Sequence, residues 1–589
     1  MNHKKIFTIL IFLGSFTLSL FSQEALKSIE EEYYDFLSLT GIVERPTLGY
    51  RTLSDSVWTF NEIETFEENE DGTFTKVRTP GSESDANIWK NNNLGTTYTL
   101  WEPASPADNW FTHGLKQGLT ARIYGPEWFN SYNTAAPYGQ NDGALWQGLG
   151  YNTSLTSGLR LEGYGFELTF KPQISWSQNK EFEIMDNSAF YSNKYSYIWG
   201  YKDNKGADAP QRFGDKAFWT FDFGDTEARW SWHTITVGFG TETIWLGPMW
   251  QNPLLHSNNA ASYPKFDIGL RRTQLIIPYF GWYLGDIETR LWLGKLSESE
   301  YFDNNDQNNH NQITGLYLAY APSFLPSLTM GINKICLSKW DDDEFYKYLN
   351  PMYGMKGAGD GNEAEDQKVG VFLDWLAPKG GIDVYAEFGI DDHVNYKDTI
   401  DSYITHYWHT FTYSFGLKKE VPVYKDFARG EIIFEWNNTE MSQDMQVQWP
   451  YNFGFHHSVT QGYTNKGQWL GSGIGYGGQS QSLGFKVYYS KGSSFLYINR
   501  YNPDNSFLFK EAIYDVSTGE SGSLHTRTWN YYKGVLAIGL KSDYFITPSI
   551  NLGGGFTFVR ITNPLFNQSK TQYEIWKNYN ITMTAKYVF

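Results

Sequence analysis

The last eleven residues, Tyr579 to Phe589, constrain this chain more than any other stretch. Apolar or small side chains stand at every second position (Tyr579, Ile581, Met583, Ala585, Tyr587, Phe589), with Asn580, Thr582, Thr584 and Lys586 between them. A period of two belongs to a β-strand with one apolar and one wet face. Eleven residues at strand rise, tilted about 45°, span the hydrocarbon layer of a bilayer, and a terminal aromatic suits the closing strand of an outer-membrane barrel. An edge strand of a soluble sheet has the same period, so the rest of the chain must decide.

The N-terminus points the same way. Residues 1–22 carry Lys4 and Lys5, then an apolar run from Ile6 to Phe21, with Ser22 and Gln23 at a cleavable junction. This pattern predicts a secretory signal peptide. No cysteine lies near the junction for lipid attachment, since Cys336 is the sole cysteine, which also leaves no internal disulfide. No other window holds about 18 uninterrupted apolar residues, so a chain that crosses a membrane must do so as a barrel.

Composition is consistent with that. With 42 Tyr, 41 Phe, 23 Trp and 56 Gly, a mean hydropathy of -0.48 describes alternating lipid-facing and lumen-facing residues plus interfacial aromatics. Loss of the two signal lysines takes the formal charge from -18 to about -20, which excludes nucleic acid as an expected partner.

Along the chain, Glu24 to Leu39 reads as a short amphipathic helix ending at Thr40-Gly41. Residues 61 to 97 are polar and acidic and read as linker, so residues 23–97 form a periplasmic helical segment with its linker. From about Tyr98 the pattern is paired strands. Leu159, Leu161, Phe166, Leu168 and Phe170 alternate with Arg160, Glu162, Glu167, Thr169 and Lys171, and charges this regular imply a watery interior. The same alternation recurs at Val369–Trp375, Ile382–Phe388, Phe411–Leu417 and Leu483–Tyr489. Connectors fall into two classes: short turns at 377–381 and 546–549, and long ones at 297–312, 339–367, 437–480 and 499–530. Short turns at one end and long loops at the other give the polarity of an outer-membrane barrel, with long loops outside the cell. The predicted fold is all-β: an antiparallel transmembrane barrel over residues 98–589.

Four loop-proximal stretches combine aromatic faces with amide and charged groups, the chemistry that holds sugar rings and their hydroxyls. They are Tyr124–Asn133 with Pro137–Trp146; Trp245-Leu-Gly-Pro248 with Asn252–Asn259 and Gly269–Arg272; Gly359–Gln367; and His456-His457 with Gln461–Gln481. The bland reading of the same residues is girdle or plug packing with turn-forming Asn and Gly.

On these stretches the chain resembles the Wzi family of capsule assembly proteins, particularly the form common in Bacteroidetes. The W-L-G-P stretch, the E-D-Q end of the acidic loop and the H-H-x-x-x-Q-G-Y segment carry the resemblance. It implies an outer-membrane barrel of 18 strands in a Gram-negative cell, with an N-terminal periplasmic helical element begun by Ile29–Asp55. It further implies a surface lectin that anchors exported capsular polysaccharide and works beside capsule export machinery. Residues 61–97 depart from the enterobacterial form, which has more helix there. On this footing Trp245, Asn258, Arg271, His457, Tyr463, Trp469 and Gln479 are expected to belong to the glycan surface or to brace it, with outer-membrane lipid as the other partner.

Other chemistries are less well supported. Gly471-x-Gly473-x-Gly475-x-Gly477 lacks the following helix and Lys-Ser/Thr of a phosphate loop. His406-x-x-His409 lies in strand-like sequence, and His456 and His457 would face opposite ways, so no metal is expected. No carboxylate pair or nucleophilic triad stands out, so no enzyme and no cofactor are expected. The remaining alternative is a porin-like diffusion channel, decided by whether the loops 339–367 and 437–480 close the lumen.

Overall fold

In the computed structural model, described residues run from 28 to 589 except 69–73, 83–85, 87, 186–192, 198–206, 307, 341–364, 392–403, 405–409, 425–426, 443–451, 457, 507–531 and 567–573. The expected signal peptide, His406, His409, His457 and most of Gly359–Gln367 lie outside them.

One antiparallel sheet of 21 segments closes on itself. Its staves are β1 (Leu119–Asn133), β2 (Gly150–Gly163), β3 (Phe166–Phe170 and Gln173–Ser177), β4 (Phe218–Asp222 and Glu227–Trp232), β5 (Ile235–Gly240) and β6 (Lys265–Ile277). They continue with β7 (Trp282–Ser297), β8 (His310–Pro322), β9 (Leu328–Lys339), β10 (Asp366–Ala377), β11 (Ile382–Asp391) and β12 (Phe411–Tyr424). The circle is completed by β13 (Ala428–Asn438), β14 (Gln479–Tyr489), β15 (Gly492–Asn502), β16 (Gly534–Thr547), β17 (Ile550–Thr562) and β18 (Ile575–Tyr587). Counting the interrupted staves β3 and β4 as one each, and Thr97–Trp101 as a patch below the seam, the barrel has 18 strands. The seam pairs β18 with β1, Asn580 opposite Asn133 and Lys586 opposite Glu127. The alternation at the C-terminus therefore marks the closing strand.

Side-chain alternation decides which face meets lipid. On β11 the buried set is Asp383, Tyr385, Glu387 and Asp391, with Val384 outward; on β10 Val371, Leu373 and Trp375 are outward and exposed. Ile581 and Met583 of β18 are each 50% exposed on the outer face, so in the membrane this band buries against lipid. No helix among the described residues is long and apolar enough to cross a membrane.

The helix α1 (Ile29–Leu39) lies across the short-turn end. Ser28 caps it by accepting the Glu31 N–H at 3.1 Å, and Thr40 closes it. Its apolar face packs on the base of the barrel: Tyr33 stacks on Trp89 at 4.1 Å and Phe36 on Tyr488 at 4.6 Å. Residues 61–97, read from sequence as linker, include a hairpin of Ile63–Glu68 with Phe74–Thr79. They also include Trp89, which donates its indole N–H to the Gly492 carbonyl at 3.0 Å and tucks against Phe545.

Candidate functional site: a luminal cavity beneath an aromatic and amide cap

Two segments enter the lumen and pack on one another as a plug. The arm after α1, residues 41–58, rises from the short-turn end, while the β5–β6 connection, residues 241–264, descends from the long-loop end. They meet as a two-residue ladder, Trp245 opposite Arg51 and Leu246 opposite Tyr50, reinforced by the Gly247 N–H donating to the Gly49 carbonyl at 2.9 Å. Gly49 has φ of 138° and lies against Phe372 and Tyr317, where a side chain would clash. Leu48, Tyr50, Leu246 and Leu254 form a buried cluster with Trp292 of β7, Tyr317 of β8 and Phe372 of β10.

Charge holds the plug in register. Arg45 pairs with Asp35 of α1 at 3.0 Å, Asp374 of β10 at 3.0 Å and Asp383 of β11 at 2.7 Å. Asp55 accepts from Arg271 of β6 at 2.7 Å and from Arg290 of β7. Arg271 also holds Glu167 at 2.7 Å, and Glu167 with Glu162 holds Arg160, each at 2.5 Å. The regular charges seen in sequence on β2 and β3 thus pair with one another and with the plug. Burial alone would raise the Asp55 carboxyl, but the two guanidiniums hold it well below the usual carboxylate range.

The cap is the β13–β14 connection, whose residues 452–456 and 458–478 fold over the plug. Tyr463 and Phe453 lie above Lys368 of β10 at 5.5 and 5.0 Å, and Lys368 bridges Asp366 and Asp391 at 2.8 Å each. Trp469 meets Phe455 and Tyr476 edge-on at 5.6 and 5.4 Å. The Tyr476 hydroxyl donates to the Leu254 carbonyl at 2.7 Å and the Asn465 amide to that of Ala261 at 2.9 Å, tying cap to plug. Asp208, from the β3–β4 connection, accepts from the Ser299 N–H at 2.6 Å and its hydroxyl at 2.5 Å, and burial pushes its carboxyl up to about 6.

Beside the plug a cavity of about 460 Å³ remains. It runs along β14–β18 and β1–β4 from Glu30 and Glu32 of α1 up to a ceiling made by the β1–β2 connection and the plug. The ceiling is fixed by the Gly143 N–H donating to the Asn258 carbonyl at 2.8 Å and the Asn141 amide to that of Gln251 at 3.0 Å. Three amide oxygens of the lining, Asn141 Oδ1, Gln147 Oε1 and Asn258 Oδ1, are buried without a hydrogen-bond partner among the described residues. Trp250, Phe495 and Tyr497 form a run of rings along one wall, with centroids 5.4 and 5.3 Å apart. Burial pushes the Asp142 carboxyl up to about 6, against the Gln147 amide that donates to it at 2.7 Å.

The seven residues chosen from sequence divide accordingly. Trp245 is fully buried in the plug, its indole N–H donating to the Met249 carbonyl at 2.8 Å and its ring under Arg51 at 5.7 Å. Tyr463 is fully buried in the cap and Trp469 half-buried beside it. Arg271 faces the lumen as a tie to the arm. Trp245 and Tyr463 are thus buried braces, whereas Trp469 and Arg271 are partly exposed. Gln479, at the start of β14, donates to Glu440 at 3.0 Å. Asn258 lines the cavity. The first two sequence stretches thus converge on one chamber, whereas His457 lies outside the described residues. Trp250, Gln147, Tyr497 and Lys541 were not singled out by sequence. Trp250 and Gln147 adjoin chosen stretches, but Tyr497 and Lys541 stand in ordinary strand alternation and carry no signal.

A family model described as capsule assembly protein Wzi matches residues 136–573. Among solved structures, similarity is found to Wzi from Escherichia coli, described as an outer-membrane protein involved in group 1 capsule assembly and a carbohydrate-binding β-barrel. That match has 11% identity and a TM-score of 0.49, covering 79% of this chain and 84% of that one. OccD3 from Pseudomonas aeruginosa matches with 9% identity and a TM-score of 0.36, covering 82% and 95%. An anion-selective porin from Comamonas acidovorans matches with 10% identity and a TM-score of 0.30, covering 80% and 98%. Comparison with curated proteins finds no match.

Proposed function

This chain belongs to the Wzi family of capsule assembly proteins, and from that premise we propose that it binds surface or capsular polysaccharide without catalysis and aids its attachment. As a Wzi-type barrel it lies in the outer membrane of a Gram-negative cell. The observation that carries the reading is the filled lumen. Arm, plug and cap pack into one buried cluster, and the lumen charges Arg160, Glu162, Glu167 and Arg271 are held in ion pairs. A general diffusion channel needs that volume open.

Binding is multivalent in this account. Each sugar contact is weak, and a long repeating polymer that meets many copies of the protein is retained through effective concentration. Asp55, Glu167 and Asp383 are each held by arginine, which favours a structural over a hydrolytic role for them. The helix and the Ile63–Thr79 hairpin, on the periplasmic side, are the surface this reading leaves for capsule export machinery. The test is retention: cells lacking the chain should shed polysaccharide into the medium, and restoring it should return polysaccharide to the surface. Equal shedding with and without the chain would reject an attachment role.

A further inference from the structure

We propose that the luminal cavity between α1 and the β1–β2 connection is a binding site for one or two neutral, hydroxyl-rich sugar residues, recognised by Asn141, Gln147, Asn258 and Lys541 against the ring of Trp250. The proposal rests on the polysaccharide-binding reading and adds a place and a ligand class to it.

The volume of about 460 Å³ falls within the roughly 300–1,000 Å³ of small-molecule sites. The chemistry of its wall selects among ligands. Three buried amide oxygens, Asn141 Oδ1, Gln147 Oε1 and Asn258 Oδ1, lack donors among the described residues, so an occupant that brings hydroxyl groups satisfies them. Lys541 projects inward from β16 into the same space, with its ammonium 5.8 Å from the Tyr497 ring centre and no ion pair among the described residues; it can donate to ring or hydroxyl oxygens. The Trp250, Phe495 and Tyr497 rings supply the flat apolar surface on which the C–H face of a sugar ring rests. Gly553, Gly554 and Thr582 also line the cavity and add little bulk to its wall.

Charge argues for a neutral ligand. Glu127, Asp142, Asp222, Asp225 and Asp543 line the cavity, while Lys171 and Lys586 are already shared with Asp225 and Glu30. A polyanion would meet net repulsion. Asn258 has the cleanest separation of roles. Its backbone carbonyl holds the ceiling, whereas its side-chain oxygen has no partner among the described residues, so Asn258→Ala spares the fold.

The experiment uses the full chain folded in detergent, where both barrel ends are accessible. The probes are di- and trisaccharides released by partial acid hydrolysis of the cell's own surface polysaccharide, followed by calorimetric titration and by competition against the intact polymer. The fragments should bind and displace polymer. Asn258→Ala should weaken them about tenfold, and Thr582→Trp, which fills the chamber from β18, should abolish them. Gel mobility before heating checks that each variant is folded, and Asn258→Ala carries the test should Thr582→Trp not fold. If polymer binds but fragments do not, or fragments bind both folded variants as they bind the parent, the cavity holds water only and the proposal is overturned while the polysaccharide reading stands. If neither polymer nor fragments bind the parent chain, both are overturned.

Discussion

Replacing Asp55 by alanine should release the arm while leaving the barrel standing. Asp55 is buried, with 3% of its side chain exposed, between Arg271 at 2.7 Å and the fully buried Arg290. Removing one partner of a buried ion pair costs about 3–5 kcal/mol when the remaining charge is stranded. Here the stranding is incomplete, because Arg271 keeps Glu167 at 2.7 Å and Arg290 keeps Asp267 at 3.4 Å. We therefore take about 2–3 kcal/mol, which raises the undocked population roughly 30- to 150-fold. The energy is localised, since residues 41–58 hold to the barrel through side chains and a two-residue ladder while every stave has full pairing on both sides. Hydrogen exchange read by mass spectrometry should quicken at residues 43–58 of Asp55→Ala and stay unchanged in β8–β12. The same variant should pass more current in a planar bilayer than the parent. Parent-like exchange at 43–58, or equal loss of protection throughout the barrel, would refute the reasoning. The depressed Asp55 carboxyl sets the pH sign: its contribution is present above about pH 4, the unfolded value, and fades only as strong acid protonates the docked form.

Further outcomes follow from the cap and its supports. Tyr463→Ala removes a fully buried ring over Lys368 and should cost about 3–5 kcal/mol of cap stability, seen as faster proteolysis within 452–478 with unheated gel mobility retained. Lys368→Met leaves Asp366 and Asp391 facing each other without their shared cation, and should lower the temperature at which the folded gel band is lost, more than Lys466→Met at the exposed rim. Because burial raises Asp208 to about 6, the unfolded loop ionises first as pH climbs. Docking of the β3–β4 connection should therefore weaken by up to about 3 kcal/mol between roughly pH 4 and 6 and level off above, and Asp208→Asn should flatten that slope in pulse proteolysis.

The parts of the fold legible in the sequence are those that obey the lipid. Val371, Leu373 and Trp375 alternate because one face of a stave must be apolar, and that constraint writes a period of two into every spanning strand. The closing strand and the short turn at 377–381 were readable for the same reason. The interior writes no such rule. A plug inside a polar lumen is built from the same Trp, Asn, Arg and Glu that a sugar-binding loop would use, so Trp245 and Tyr463 look like platforms in sequence and stand as buried braces in the structure. Trp89 was missed because a single aromatic anchor in an acidic stretch has no periodicity to reveal it. The cavity was half legible. Its ceiling residues sit in stretches rich in aromatics and amides, but its far wall is ordinary strand, and only the closure of β18 on β1 brings the two together.

The most direct measurement is equilibrium binding of the purified, detergent-folded chain to polysaccharide from its own cell surface, beside a general porin of similar size. Saturable binding that the porin lacks is the result this account predicts. Binding no greater than the porin's would contradict it.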